Sequence, residues 1–181
     1  MDSDGSSTVV LTVANAAWRD AFEALEPLVE RIVRAALDQA TTTPWLKAGE
    51  VSLLLTDDPE IQSLNAAYRA RDLPTNVLSF PGLDLIGGKA DASPPPGPLL
   101  LGDIAISFER LRVEAAEQRK NINDHFAHLL VHGTLHLLGY DHGDLVTAEV
   151  MEDLEATILK SLGFAAPYAS VVAADGLSLA T

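Results

Sequence analysis

The sequence predicts one α/β (α+β) domain in which a small mixed β-sheet packs against several helices. Three observations carry that prediction. The chain has 181 residues, 48% of them hydrophobic and 21% charged, which supplies a buried core and is too apolar for a disordered chain. Segments alternating at period two are interleaved with segments at helical spacing, in the order β-α-β-α-β-β-α-α-α. Cysteine is absent, so packing and not disulfides must hold the fold together.

Val9, Leu11 and Val13 alternate through the first strand. Phe22, Leu25, Val29, Ile32, Val33, Ala36 and Leu37 repeat at helical spacing over residues 19–40, and Pro27 separates an early turn from a main helix over 27–40. Residues 41–44 form a linker, and residues 50–56 (EVSLLLT) a second strand. Asp57-Asp58-Pro59-Glu60 then starts a helix, with a capping acid, proline in the first turn and acid at the positive dipole end. That helix runs to about Ala70 with Ile61, Leu64 and Tyr68 on one face. A short strand covers 77–80 and stops at Pro81. The Gly- and Pro-rich residues 82–98 read as a surface loop and as the most disorder-prone internal stretch.

Residues 99–107 (LLLGDIAIS) read as a buried strand interrupted at Gly102-Asp103. Three helices follow, over 108–118, 124–138 and 146–162, the last two stopped by Gly139 and Gly163. One domain over 8–164 is expected, between a disordered start (1–7) and a loosely held tail (165–181).

The net charge of −14 argues against bulk attraction to nucleic acid or an anionic membrane, though it leaves room for a local basic groove. Residues 1–7 lack the basic start and apolar stretch of a secretory signal, and no apolar run is long enough to span a bilayer. The expected location is the cytoplasm, with no membrane partner. Without cysteine, any metal must be held by histidine or carboxylate.

All five histidines lie between positions 125 and 142. The sharpest segment is HGTLHLLGYDH, residues 132–142. On a helix His132 and His136 share a face one turn apart, and Gly139 permits a sharp reversal that returns His142 to them. Three neutral imidazoles with a fourth position open are the donor set of a catalytic zinc, one Zn2+ per chain, which supplies a nucleophile from water near neutral pH. Zinc peptidases share this spacing but carry a glutamate base after the first histidine. Here Gly133 takes that position, which argues against peptide hydrolysis. His128 either lines the site or lies on a solvated helix face, and His125 reads as solvated. Asp103 either orients a metal-bound histidine or caps a loop, and Asp141 is the acid nearest the cluster in sequence. Asp72, Thr75, Asn76 and Ser79 either shape a cleft floor or act as turn and cap residues.

Residues 132–142, together with 64–81 (LNAAYRARDLPTNVLSFP) and 101–104 (LGDI), resemble in content and order the signature blocks of the YbeY family of bacterial endoribonucleases. The likeness covers residues 9–168 and leaves out the Pro-rich stretch and both ends. It implies a zinc-dependent endoribonuclease specific for single strands, acting in small-subunit ribosomal RNA 3′-end maturation, ribosome assembly and ribosome quality control. It implies His132, His136 and His142 as zinc ligands and Arg69 as the catalytic arginine; without it Arg69 reads as a helix-end cation. Implied partners are single-stranded ribosomal RNA, the small ribosomal subunit, and a basic ribosomal protein or an Era-like GTPase. Two alternatives stand beside it: a zinc hydrolase of another substrate, and an assembly factor in which zinc is structural and catalysis slight.

Overall fold

A computed structural model describes residues 8–168, so the expectations for residues 1–7 and for the tail beyond Tyr168 lie outside the described residues. The sheet is mixed. Strands β1 (Thr8–Val13), β2 (Glu50–Thr56) and β4 (Leu100–Ser107) run parallel, and β3 (Val77–Pro81) lies antiparallel on β4, in the order β1-β2-β4-β3. The helices are α1 (Ala17–Ala21), α2 (Leu25–Ala40), α3 (Pro44–Lys47), α4 (Asp58–Arg69), α5 (Phe108–Glu117), α6 (Ile122–Leu137) and α7 (Leu145–Ser161). The predicted α/β class holds, with two short helices added, one in the early turn and one after the linker. Pro27 sits inside the first turn of α2, where a missing N–H costs no intrahelical bond. No described helix is long and apolar enough to cross a membrane.

Strand parity divides the sheet into two faces. Val51, Leu53, Leu55, Ile104 and Ile106 turn toward α2 and α6 and join the main core with Trp18 and Phe126. Residues of the other parity meet only α4, in a small cluster of Ile61, Leu78 and Ala105. The helical pattern puts Tyr68 on that buried face, but it is 69% exposed and lines a cavity with Leu64, Phe80 and Asp103 on the α4 side of the sheet. Its ring stacks edge-on against Phe80, centroids 5.2 Å apart.

The expected interruption takes the form of a register shift and not a break: β4 runs through Gly102-Asp103, but its pairing with β2 passes from Glu50–Leu100 to Val51–Gly102 and skips Leu101. Gly102 (φ 147) is needed there because a Cβ would come within 2.4 Å of the Phe80 carbonyl oxygen and 2.8 Å of Leu137. α6 rests on this crowded part of the sheet through Gly133, where a Cβ would press Ile104 at 3.1 Å and the Ser79 hydroxyl at 3.3 Å.

The loop 82–98 is docked in its first half. The Gly87 and Gly88 amides donate to the carbonyls of Gly139 (3.2 Å) and Leu138 (2.8 Å), and the Thr41 hydroxyl donates to Gly88 (2.6 Å). Residues 91–98 are exposed. Residues 165–168 also touch the domain: the Ala165 amide donates to Asp124 at 3.4 Å and Lys120 Nζ to the Pro167 carbonyl at 3.0 Å.

Candidate metal centre

α6 carries His132 and His136 one turn apart, and their Nε2 atoms face each other at 3.1 Å. After Leu138 the chain turns through Gly139 (φ 82), with the Gly139 and Tyr140 amides folded back onto the carbonyls of His136 (3.0 Å) and Leu135 (3.1 Å). The docked loop leaves no room for a side chain at Gly139, whose Cβ would lie 1.9 Å from the Leu85 carbonyl oxygen. This turn returns His142, whose ring centroid is 5.6 Å from that of His132 and 5.1 Å from that of His136. One ring nitrogen from each of the three lies within 4.8 Å of the others.

The far side of each α6 ring is anchored. His136 Nδ1 is 2.9 Å from the Tyr140 carbonyl oxygen, which only accepts, so Nδ1 carries the proton. His132 Nδ1 is 2.5 Å from Glu155 Oε1 on α7. Burial pushes the Glu155 carboxyl up, but hydrogen bonds from His128, His132 and Tyr168 and the charge of His132 outweigh it and bring it down to about 2. An ionised Glu155 accepts, so His132 also holds its proton on Nδ1. Burial, then the neighbouring His132 charge, lowers the pKa of His136 and keeps it neutral. With its proton on Nδ1, His136 turns the lone pair of Nε2 toward His132 Nε2 at 3.1 Å. Nitrogens about 2.0–2.1 Å from a tetrahedral ion sit about 3.3 Å apart, close to the spacing of the α6 pair. The donor set fits a metal.

The cluster opens on a cleft of about 450 Å³ whose walls are Arg69, Arg71, Asn76 and the β3 edge, with Asp141 at the mouth. Arg69 ends α4, donates from Nη2 to the Ser79 carbonyl at 2.8 Å and lies over the Phe80 ring at 5.8 Å. These contacts hold one edge of the guanidinium and leave its remaining donors for the cleft.

The structure redistributes the other sequence candidates. His125 is not solvated: it is 3% exposed and its Nε2 is 2.8 Å from Glu114 Oε2. His128 lines a neighbouring cavity with its Nε2 3.0 Å from Glu155 Oε2. Asp103 is exposed on the α4 face of the sheet, opposite in parity to Ile104, and reaches no histidine. Asp141 accepts from the His142 amide at 2.8 Å and is open to solvent. Asp72 is bonded to Gln62, whereas Asn76 and Ser79 line the cleft, Ser79 with its hydroxyl turned to the Gly133 carbonyl, and Thr75 lines a neighbouring cavity with Arg69 and Arg71. Sequence patterns do not single out Glu155 or Tyr168, which the fold brings to the site. The Tyr168 hydroxyl donates to Glu155 Oε2 at 2.6 Å. The one signal for Glu155 is its position as an acid within the buried stripe Met151, Ile158, Leu159 of α7.

The family model described as Endoribonuclease YbeY matches residues 12–163. A protein of Rhizobium johnstonii named Endoribonuclease YbeY is 46% identical over 164 residues, covering 88% of this chain and 92% of the relative. Its namesake from Rhizobium etli is 49% identical over 150 residues (81% and 84% covered). That from Paramagnetospirillum magneticum is 46% identical over 153 residues (84% and 90%). A solution structure from Thermotoga maritima covers 90% of this chain and 100% of its own, at 20% identity and a TM-score of 0.48. With a family model spanning the sheet, the histidine helix and α7, and relatives alike over most of both lengths, the chain belongs to the YbeY endoribonuclease family.

Proposed function

We propose that this chain is a zinc-dependent endoribonuclease of the cytoplasm that cleaves single-stranded RNA. Its physiological target is small-subunit ribosomal RNA, in 3′-end maturation, assembly and quality control of the ribosome. The observation that carries this reading is that three histidine nitrogens and the Arg69 guanidinium share one open cleft. His132, His136 and His142 would hold the ion, and when bound it supplies Lewis acidity and a nucleophile from water near neutral pH.

The chain's own residues do the rest. Glu155 and the Tyr140 carbonyl aim the two α6 ligands. Arg69, steadied on Ser79 and Phe80, offers its free N–H groups to the non-bridging oxygens of the phosphodiester, whose charge rises as the P–O bond breaks. Gly133 carries no base, and the close approach of α6 to the sheet leaves little room for one. A ribosome-docking factor with a structural zinc is disfavoured by the donor count: structural sites close with four protein ligands, and the described residues offer a group of three at an open cleft. A basic ribosomal protein or an Era-like GTPase on the small subunit would bring the enzyme to its substrate.

Metal analysis and a cleavage assay on one preparation test the proposal. Wild type is expected to carry one zinc and to cut single-stranded RNA. His132→Ala, His136→Ala and His142→Ala should lose the zinc. Arg69→Ala should keep it while cleavage falls by about 10²–10³-fold, the usual cost of one charge-stabilising donor. Full cleavage by Arg69→Ala, or unchanged zinc in all three histidine variants, overturns the assignment.

A further inference from the structure

The metal cleft continues beyond the histidines. A second cavity of about 360 Å³ shares Asn76, Val77 and His132 with it. That volume is at the small end of ligand pockets and suits one nucleotide. Its inner wall is the carboxylate of Glu114 on α5. Glu114 Oε2 accepts from Asn76 Nδ2 at 3.1 Å and engages His125 Nε2 at 2.8 Å, so the group is clamped from both sides. Its Oε1 accepts no hydrogen bond among the described residues, and the side chain keeps 26% of its exposure. Burial pushes its pKa up, yet hydrogen bonds from His125 and Asn76 prevail and hold it below the ordinary value, so at neutral pH it only accepts.

The other walls suit a nucleotide. Tyr168 presents a ring that is 48% exposed, set edge-on to His128 at 5.5 Å, and Lys120 brings a cation to the rim. The His132, His128 and His125 rings step along α6 at 6.2 and 6.1 Å. Glu114, bonded to the last of them, thus lies two ring steps from the cluster. That is comparable to the span from a nucleotide's phosphate to the hydrogen-bonding edge of its base.

We infer that this second cavity is the base-binding subsite for the nucleotide beside the cleaved phosphodiester, with Glu114 selecting bases that carry an exocyclic amino group over uracil. The inference rests on the proposed ribonuclease reading. A fixed carboxylate accepts from the amino group of cytosine, as in groove readout of DNA, and equally from that of adenine or guanine. Uracil offers one N–H flanked by two carbonyl oxygens, which the carboxylate repels. Tyr168 supplies the stacking that any base accepts.

The test uses the zinc-loaded full chain and two probes, cytidine and uridine 5′-monophosphate, titrated calorimetrically. Their phosphates meet the metal alike, so the ratio of affinities isolates the base. Wild type should bind the cytidine nucleotide about tenfold more tightly, at the low end of a carboxylate–amino contact. In Glu114→Gln the ratio should fall toward one with zinc content unchanged. Single-stranded RNAs differing only by C or U beside the mapped cut should show the same preference in kcat/KM, again lost in the variant. Equal binding of the two nucleotides by wild type overturns the subsite, and so does a preference that survives Glu114→Gln. The wild-type ratio decides the matter even where the variant folds poorly. If no RNA is cut at all, the ribonuclease reading fails separately, while the nucleotide ratio still judges the pocket.

Discussion

At the scale of the residue, the candidate site is built from pairs in which one member faces the cleft and the other holds it in place. His132 is the clearest case, because the nitrogen it turns to the histidine cluster is set by Glu155 behind it at 2.5 Å. Glu155→Ala should leave one accepting contact fewer behind His132 and free the ring to rotate and change tautomer. We expect metal affinity to fall by about 10–100-fold, the usual cost of losing such a support. Competition with a chromophoric chelator measures this without any RNA, and affinity equal to wild type would show that Glu155 merely fills the α6–α7 interface. The clustering of His132, His136 and His142 is legible in the sequence because helical spacing and one glycine specify it locally. Glu155 is not, because its partner lies 23 residues away and nothing in an α7 stripe says which neighbour an acid will meet. His125 misleads for the same reason: its polar partner, Glu114, belongs to another helix.

At the scale of the element, the walls of the cleft depend on clips between neighbouring helices and strands. Arg110 of α5 grips Asp58 at the start of α4, Nε at 3.0 Å and Nη2 at 2.9 Å from Oδ2, and the Ser107 hydroxyl donates to Oδ1 at 2.6 Å. Arg110 is therefore a strut between helices and not a free cation for RNA. Burial pushes Asp58 up, but the hydrogen bonds from Arg110 and Ser107 outweigh it and hold its pKa below the ordinary value. A carboxyl depressed in the folded state adds stability above its unfolded pKa of about 3.9, and that stability is lost as pH falls through the folded value. Asp58→Asn should cost about 1 kcal/mol at pH 7, after discounting for the partly exposed arginine. The Tm should drop by about 2–4 °C for a chain of this size. The gap between variant and wild type should close below about pH 4 in denaturation curves, and a gap independent of pH would deny the ion pair its role. Strand and helix periods make these elements readable in advance. Asp103 shows where that stops: a run such as LLLGDIAIS looks buried throughout, and Ala105 and Ser107 are indeed buried, but Asp103 of the same parity is exposed and lines a cavity beside α4.

At the scale of the whole molecule, the candidate metal centre stands beside a main core to which its histidines contribute no residue. Trp18, Phe22, Phe126 and the inward strands pack around α2 and α6 with no contribution from the cluster. Chelation should therefore leave the far-UV circular dichroism intact while abolishing cleavage and lowering the Tm by mass action alone. Unfolding on chelation would favour the structural-zinc alternative. The charge of −14 sets the last expectation. An acidic protein meets RNA through few cations, and the groove from Arg69 and Arg71 past the histidines to Lys120 supplies three. Counterion release at about 0.7 per phosphate contact on a single strand gives a slope near −2 in log affinity against log salt, far shallower than for a dedicated nucleic-acid binder. A single strand can dip its phosphodiester to the metal and its base into the second cavity, whereas a duplex holds its bases paired and presents only its outer backbone. Matched single- and double-stranded RNAs should thus differ in cleavage far more than in binding, since the weak electrostatic attraction is common to both. Equal cleavage of the two forms, or a salt slope several times steeper, would mean that the substrate is held by a surface other than this groove.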